Sequence, residues 1–317
     1  MKENMSYIKP QKLNKGDLIG IISPASSTDD SSLIESGIKY IEHMGYRTIL
    51  GQNVGKCNGY LAGTDEERIQ DIHSMFSNKR VKAIICLRGG YGAFRLLDKI
   101  DYQIIGKNPK IFVGFSEITA LQMAFLKKAG LITFAGPMIL PNFSKEISPF
   151  TEENFWQIIT FAGKPDKIKY RLTERLPSLN PGKTIGRIVG GNLSVFTSLI
   201  GTEYLPGLKN KVFLIEDISE PPYKIDRMLN QLRLNGIFDK INGIIIGKFI
   251  DCHEPDKQKK TLTTDEVLMD YLKRTKLPTV YNFPHGHIKD FMTIPFGLRI
   301  KLNASEGCLE FMESAVR

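Results

Sequence analysis

The 317-residue chain is predicted to be an α/β protein: a parallel sheet covered by helices in its first half, then a smaller, β-rich α+β unit. Three observations predict this. Short apolar runs alternate with amphipathic stretches of helical length through the first half, the pattern of parallel strands buried on both faces. The alternation lapses at Lys164–Pro181, KPDKIKYRLTERLPSLNP, which is charged, Pro-bearing and aperiodic. Beyond it, strand-like runs outnumber helical ones. The domain boundary is therefore placed there, giving an α/β domain over 1–165 and a β-rich domain over 166–317.

The elements follow in chain order. DLIGIISPAS reads as a buried strand and its loop. SSLIESGIKYIEHMG places Leu33, Ile34, Gly37, Ile38, Ile41 and Met44 at helical spacing, and Gly45 stops the helix. TDEERIQDIHSMF opens on a capping box, Thr64 with Glu67, and carries Ile69, Ile72 and Phe76 on one side. VKAIICL is a buried strand, GAFRLLDKI a short helix, KIFVGF a strand, and EITALQMAFLKKAG a helix closed by Gly130. In the second half, KVFLIE, GIIIGKF and TVYNF read as strands. PPYKIDRMLNQLRLNG is the main helix, with Pro222 in its first turn and Gly236 at its end. LRIKLN and CLEFM form a hairpin around ASEG.

Composition excludes several classes. The chain is 42% hydrophobic, ordinary for a globular protein, and its length suggests two domains. It has no run of about 18 apolar residues, so no membrane span is expected. The opening MKENMSYIKPQKLNKGD lacks an apolar core of signal-peptide length, so a cytoplasmic location is expected. Cys57, Cys86, Cys252 and Cys308 are widely spaced without a CxxC pair, which argues against disulfides and a zinc ribbon. The formal charge is +9, but the densest basic cluster, Asp256–Lys260, lacks aromatic interleaving and any nucleic-acid module. A solvated loop and an anionic small substrate account for the charge, and no nucleic-acid partner is expected.

Four groups of residues offer chemistry. Ser116 ends the apolar run of KIFVGFSEITAL. Serine is a strong N-cap, because its oxygen accepts from exposed N–H groups of the first turn. The same place suits a nucleophile at the carboxyl end of a sheet, beside a helix start that favours developing negative charge. The elbow GxSxG is not met, since Ile118 stands where glycine is needed. Position alone leaves cap and nucleophile both open. The second group is the turn Arg88-Gly89-Gly90-Tyr91-Gly92, whose glycines let backbone N–H groups approach a ligand. It is neither GxGxxG nor a P-loop. Its strand is expected to neighbour that of Ser116, with Arg88 in the cleft at the strand end. Third, strand alternation puts Val212, Leu214 and Glu216 on one face and Phe213, Ile215 and Asp217 on the other. An acid closing such a run is desolvated and needs a partner, either Arg227 or a histidine that it orients. Fourth come five histidines. His43 and His73 sit in amphipathic helices and His253 in a polar loop. His285 and His287, in NFPHGHIKDF, have His-x-His spacing that can ligate zinc, but no third-ligand motif accompanies them.

Six blocks in order, RGGYGA, VGFSEITAL, TFAGPM, GGNLSVFTSLIGT, FLIEDISEPPYKIDRML and FPHGH…TIPFG, resemble the signature blocks of the LD-carboxypeptidases. That serine-peptidase family includes muramoyltetrapeptide carboxypeptidase and the microcin C immunity peptidases. The resemblance runs from about Asp17 to Ile300. It implies a triad of Ser116, Glu216 and His287, with His285 outside it. It implies an oxyanion hole from the backbone N–H groups of Gly90 and Glu117, and Asn192 near the site as a substrate or loop contact. It further implies an α/β domain with a smaller β-rich domain, in a homodimer, needing no metal or organic cofactor. This sequence departs from the family at Glu117, where Asp is usual, and at Ala135, where many relatives carry a bulkier or polar residue.

The expected reaction is hydrolysis of an L,D amide in a muropeptide, releasing terminal D-Ala during peptidoglycan recycling. Because Glu216 lies 100 residues beyond Ser116 and His287 a further 71, the site is expected in the interdomain cleft. One alternative is a microcin C immunity-type peptidase cutting an aminoacyl-nucleotide amide. Another is a non-catalytic peptide- or nucleotide-binding protein, against which the presence of all three triad residue types argues. The expected partner is a small peptide, with neither nucleic acid nor membrane.

Overall fold

The computed structural model describes residues 7–163, 176–256 and 258–317. The boundary between 165 and 166 lies outside the described residues. The first half runs β1 (Leu18–Ile22), α1 (Ser31–His43), β2 (Arg47–Leu50), α2 (Asp65–Ser77), β3 (Val81–Cys86), α3 (Tyr102–Lys107), β4 (Ile111–Gly114), α4 (Thr119–Ala129), β5 (Thr133–Ala135) and α5 (Pro149–Thr160). The second runs β6 (Ser178–Asn180), β7 (Lys183–Asn192), α6 (Leu193–Ser198), β8 (Lys211–Ile218), α7 (Pro222–Leu234), β9 (Gly243–Ile250), α8 (Thr264–Leu272), β10 (Thr279–Val280), β11 (Ile294–Phe296), β12 (Arg299–Asn303) and β13 (Cys308–Phe311).

Two sheets result. The first has the order β11-β5-β4-β3-β1-β2, with β2, β1, β3, β4 and β5 parallel and β11 antiparallel at the edge. The second has the order β13-β12-β7-β8-β9-β10-β6, with β7 to β10 parallel and antiparallel strands on both sides. The expected α/β class with a strand-rich second half is what forms. The apolar runs of β1, β3 and β4 are buried almost throughout, as both covered faces require. The Thr64–Glu67 capping box opens α2, and Gly130 closes α4 at φ +68°.

The two halves interlock more than the sequence implied. Strand β11, from the second half, pairs with β5 and completes the first sheet. The C-terminus returns to the N-terminal segment, where Lys12 N–H donates to Arg317 O and Arg317 N–H to Pro10 O, both at 2.9 Å. Helix α4 touches both β5 and β7, and its residues from Thr119 to Leu126 are all buried. A helix apolar on every side belongs between layers. Here it brings the chain just after β4 to the junction of the two sheets.

Two expected elements are shorter than read. GAFRLLDKI yields only a 3-10 turn at Ala93–Leu96, entered through Gly92 at φ +111°. TVYNF yields only Thr279–Val280, since Asn282 turns the chain at φ +62°.

Candidate active site

Ser116 leaves β4 at φ +62°, in the left-handed region that non-glycine residues avoid. It opens a 3-10 turn, Ser116–Ile118, in which no side chain caps the backbone. The cap reading is thus corrected: Ser116 is held strained, with its oxygen free of capping duty. Such strain, on the order of 1–3 kcal/mol, persists only where the surroundings impose it. They do so here, because a side-chain carbon at Gly89 would stand 3.0 Å from Ser116 Cβ and 3.2 Å from its Oγ.

The glycine turn faces Ser116 because β3 and β4 are parallel neighbours, as expected. Glu117, the residue after the serine, is buried and reaches across to the turn. Its Oε1 accepts from the N–H groups of Gly92 and Ala93 at 2.9 Å and Phe94 at 3.4 Å. Burial pushes its carboxyl above the usual range, against the pull of these donors. From the other side the fully buried Arg68 donates to Gly92 O and Pro24 O, both at 2.8 Å. The departure from Asp to Glu therefore has a structural use, in which the side chain fastens one turn to the other. Glu117→Ala leaves the buried N–H groups of Gly92 and Ala93 without an acceptor and is expected to cost about 2 kcal/mol, read from urea unfolding.

Glu216 is 1% exposed. Its partner is a histidine, not Arg227, whose guanidinium lies over the Tyr223 ring. His287 Nδ1 and Glu216 Oε2 are 2.9 Å apart. A carboxylate only accepts, so Nδ1 carries the proton, and in the neutral ring this tautomer leaves the lone pair on Nε2. Two glycines allow this contact. A side-chain carbon at Gly247 would stand 2.6 Å from His285 O, and one at Gly286 would stand 3.1 Å from Glu216 Oε2. The register of β8 on β9 shifts at Glu216, which fits the loop that follows Phe283 over the acid. His285 is buried with Nδ1 on Met292 O at 2.8 Å and has no part in the pair.

Asp217, the next residue, is also 1% exposed but turns the other way, as strand alternation requires. It accepts from Asn192 Nδ2, Ser194 N–H and Ile218 N–H at 2.8–2.9 Å. Burial and then the neighbouring Glu216 prevail over these donors and push its carboxyl up to about 7. The folded value lies above the unfolded one. The stabilisation carried by the protonated acid is therefore complete below about pH 4 and lost as pH rises to about 7. Asp217→Asn removes that slope. The melting temperature of the wild type is expected to fall relative to the variant between pH 5 and pH 8.

A cavity of about 310 Å³ joins these parts, lined by Arg88, Gly89, Gly90, Ser116, Lys145 and His287 among others. A second, of about 480 Å³, lies beyond Phe115 and His287 and carries Lys145 and Lys289. The structure thus brings together Ser116, His287, Gly90 and Arg88, with Glu216 behind the histidine. It does not bring Asn192 to the cavity. Asn192 is buried on Asp217 and caps α6, the loop contact that the resemblance gave as one of its two roles, and it is not among the residues that line either cavity. Ala135 pairs with Gly114 and Ile294 inside the first sheet and is a core residue. Among the described residues, no three His, Cys, Asp or Glu side chains are grouped to hold a metal, and no helix is long and apolar enough to cross a membrane.

Comparison with known proteins places the chain in a family. The profile of the LD-carboxypeptidase N-terminal domain matches residues 19–136, and that of the C-terminal domain matches residues 185–302. The chain belongs to the LD-carboxypeptidase family. It is a serine-type LD-carboxypeptidase, a hydrolase. It is 39% identical over 302 residues to a probable murein peptide carboxypeptidase of Bacillus subtilis, covering 94% of this chain and 92% of that one. The structure of muramoyltetrapeptide carboxypeptidase from Oxalobacter formigenes aligns with a TM-score of 0.81 at 31% identity, over 92% of this chain and 97% of that one. MccF in complex with glutamyl sulfamoyl guanosine aligns with a TM-score of 0.87 at 26% identity, over 98% and 99%. Three features of this LD-carboxypeptidase escaped the sequence reading: the packing of Gly89 on the serine, the cleft lysines Lys145 and Lys289, and the use of the Glu117 side chain. The GG pair signalled the first. Nothing local marks the other two, since their roles depend on what lies opposite.

Proposed function

We propose that the protein removes the terminal D-alanine of a murein tetrapeptide by hydrolysing an L,D amide bond. The observation that carries this reading is the His287–Glu216 pair at 2.9 Å, with His287 and Ser116 lining one cavity. In the proposed reaction, Ser116 Oγ attacks the scissile carbonyl and His287 Nε2 takes its proton. Glu216 orients the imidazole and stabilises the imidazolium. The N–H groups of Gly90 and Glu117 hold the oxyanion. The imidazolium protonates the leaving amine, and water, activated by the same histidine, releases the acyl group from Ser116. The substrate carries free carboxylates, which suits the cations of Arg88, Lys145 and Lys289. A cytoplasmic homodimer accompanies this reading, and sedimentation of the purified protein tests the dimer.

A second reading is favoured by the likeness to MccF bound to an aminoacyl-sulfamoyl nucleoside. It predicts cleavage of the amide joining an acidic amino acid to the nucleotide-like group. Mass spectrometry of products from murein tetrapeptide and glutamyl sulfamoyl adenosine, incubated in parallel, separates the two. Release of D-alanine supports the first reading. Cleavage of the nucleoside conjugate alone overturns it in favour of the second.

A further inference from the structure

A buried polar network beside the triad has no part in the reaction just described. Thr119, the first residue of α4, lies three residues beyond Ser116 and is 1% exposed. Its Oγ1 accepts from the backbone N–H of Asn192 at 3.2 Å. Asn192 closes β7, and its Nδ2 donates to Asp217 Oδ1 at 2.9 Å. Asp217 directly follows Glu216. The other end of the amide settles its orientation, since Asn192 Oδ1 accepts from Ser194 Oγ at 2.8 Å and Val195 N–H at 3.2 Å. Two glycines permit the approach. A side-chain carbon at Gly191, φ +121°, would stand 2.7 Å from Thr119 Oγ1. One at Gly190, φ +126°, would stand 1.9 Å from Leu214 O.

We propose that Thr119, Asn192 and Asp217 form a positioning bridge that holds the helix following the nucleophile against the strand carrying the acid, and so sets the approach of Ser116 to His287. The proposal rests on the triad reading above. Ser116 follows β4 of the first sheet, Glu216 lies on β8 of the second, and His287 sits in the loop that runs from β10 of the second to β11 of the first, so their spacing is a property of how the sheets are joined. The bridge crosses that junction next to both ends of the triad. It is buried, where hydrogen bonds are strong and directional. None of its three residues lines either cavity that carries His287. It therefore acts on turnover and not on substrate binding. A shift of about 1 Å at a reacting centre costs up to about a hundredfold in rate.

The test compares Thr119→Val, which keeps the volume and removes the acceptor, with Thr119→Ser, which restores it. Two readouts are taken: kcat and KM on murein tetrapeptide, and the rate of Ser116 labelling by a fluorophosphonate, which needs no natural substrate. Turnover is normalised to the fraction of protein that labels at completion, so misfolded molecules drop out. Thr119→Val is expected to lower normalised kcat and labelling rate about 10- to 100-fold with KM within about twofold. Thr119→Ser is expected within about threefold of wild type on the same scale. Adding Thr119→Val to Asn192→Ala should cost little more than Asn192→Ala alone, because both cut one path. Wild-type normalised rates in Thr119→Val, a change in KM alone, or equal impairment of Thr119→Ser overturns the bridge. Ser116→Ala is the control. If it retains turnover, the triad reading falls and the bridge with it; if it is inactive while Thr119→Val is normal, only the bridge falls.

Discussion

Ser116→Ala is expected to reduce kcat on the order of 10⁶-fold, the scale on which serine peptidases lose turnover with their nucleophile. In the proposed mechanism the remaining groups, His287, Glu216 and the oxyanion donors, cannot compensate, since the acyl-enzyme forms on the Ser116 oxygen. Substrate still binds, so the loss is read in single-turnover kinetics at saturating tetrapeptide. A stability measurement separates chemistry from folding. Ser116 holds φ +62°, and alanine inherits the same strain. The melting temperature of Ser116→Ala should therefore stay close to wild type. Glycine pays no left-handed penalty, so Ser116→Gly should be inactive yet more stable than Ser116→Ala by about 1 kcal/mol. Activity retained in either variant removes the serine mechanism. Equal stability of the two removes the claim that the turn is strained.

Glu216→Gln is expected to lower kcat about 10⁴-fold, as when the triad acid of another serine peptidase becomes an amide. The cause is the tautomer. The carboxylate at 2.9 Å accepts the Nδ1 proton and leaves Nε2 basic. An amide nitrogen in that place donates to Nδ1, which moves the ring proton to Nε2 and blocks proton removal from Ser116. The variant takes a charge out of a site that is 1% exposed and fills the same volume, so its unfolding midpoint in urea should not fall. The fluorophosphonate labelling rate should fall with kcat. A variant that folds and labels at the wild-type rate would show that Glu216 does not govern the histidine.

Much of this site was readable before the fold was known, and the limits of that reading are physical. Strand alternation separated Glu216 from Asp217 because successive side chains point to opposite faces. It had no means of saying which face a histidine would meet. Serine at a strand-to-helix turn marked position 116, but cap and nucleophile share that local pattern. The cap fell to φ +62° and the lack of any side-chain capping bond, with Gly89 of the β3 turn pressed against the serine, a contact across strands. Asn192 was drawn towards the substrate by its place in GGNL. In the structure it is a buried link between α4 and β8, since two of its partners, Thr119 and Asp217, are distant in sequence. The short helix expected at GAFRLLDKI is a 3-10 turn whose start is set by Gly92 and the Glu117 carboxylate, and only the first of these is local.

Taken alone, the sequence determined the alternation of buried strands and amphipathic helices, the capping box of α2, the glycine stops and the order of the chemically able residues. These follow from period, propensity and backbone freedom, which act over a few residues. Only the tertiary structure decided that β11 completes the first sheet, that Glu117 fastens the glycine turn, that Glu216 rather than Asp217 meets His287, and that Asn192 joins α4 to Asp217. Each of those outcomes depends on two segments far apart in the chain meeting at hydrogen-bond distance. Burial makes such meetings selective, because a polar group removed from water must find its partner or destabilise the fold.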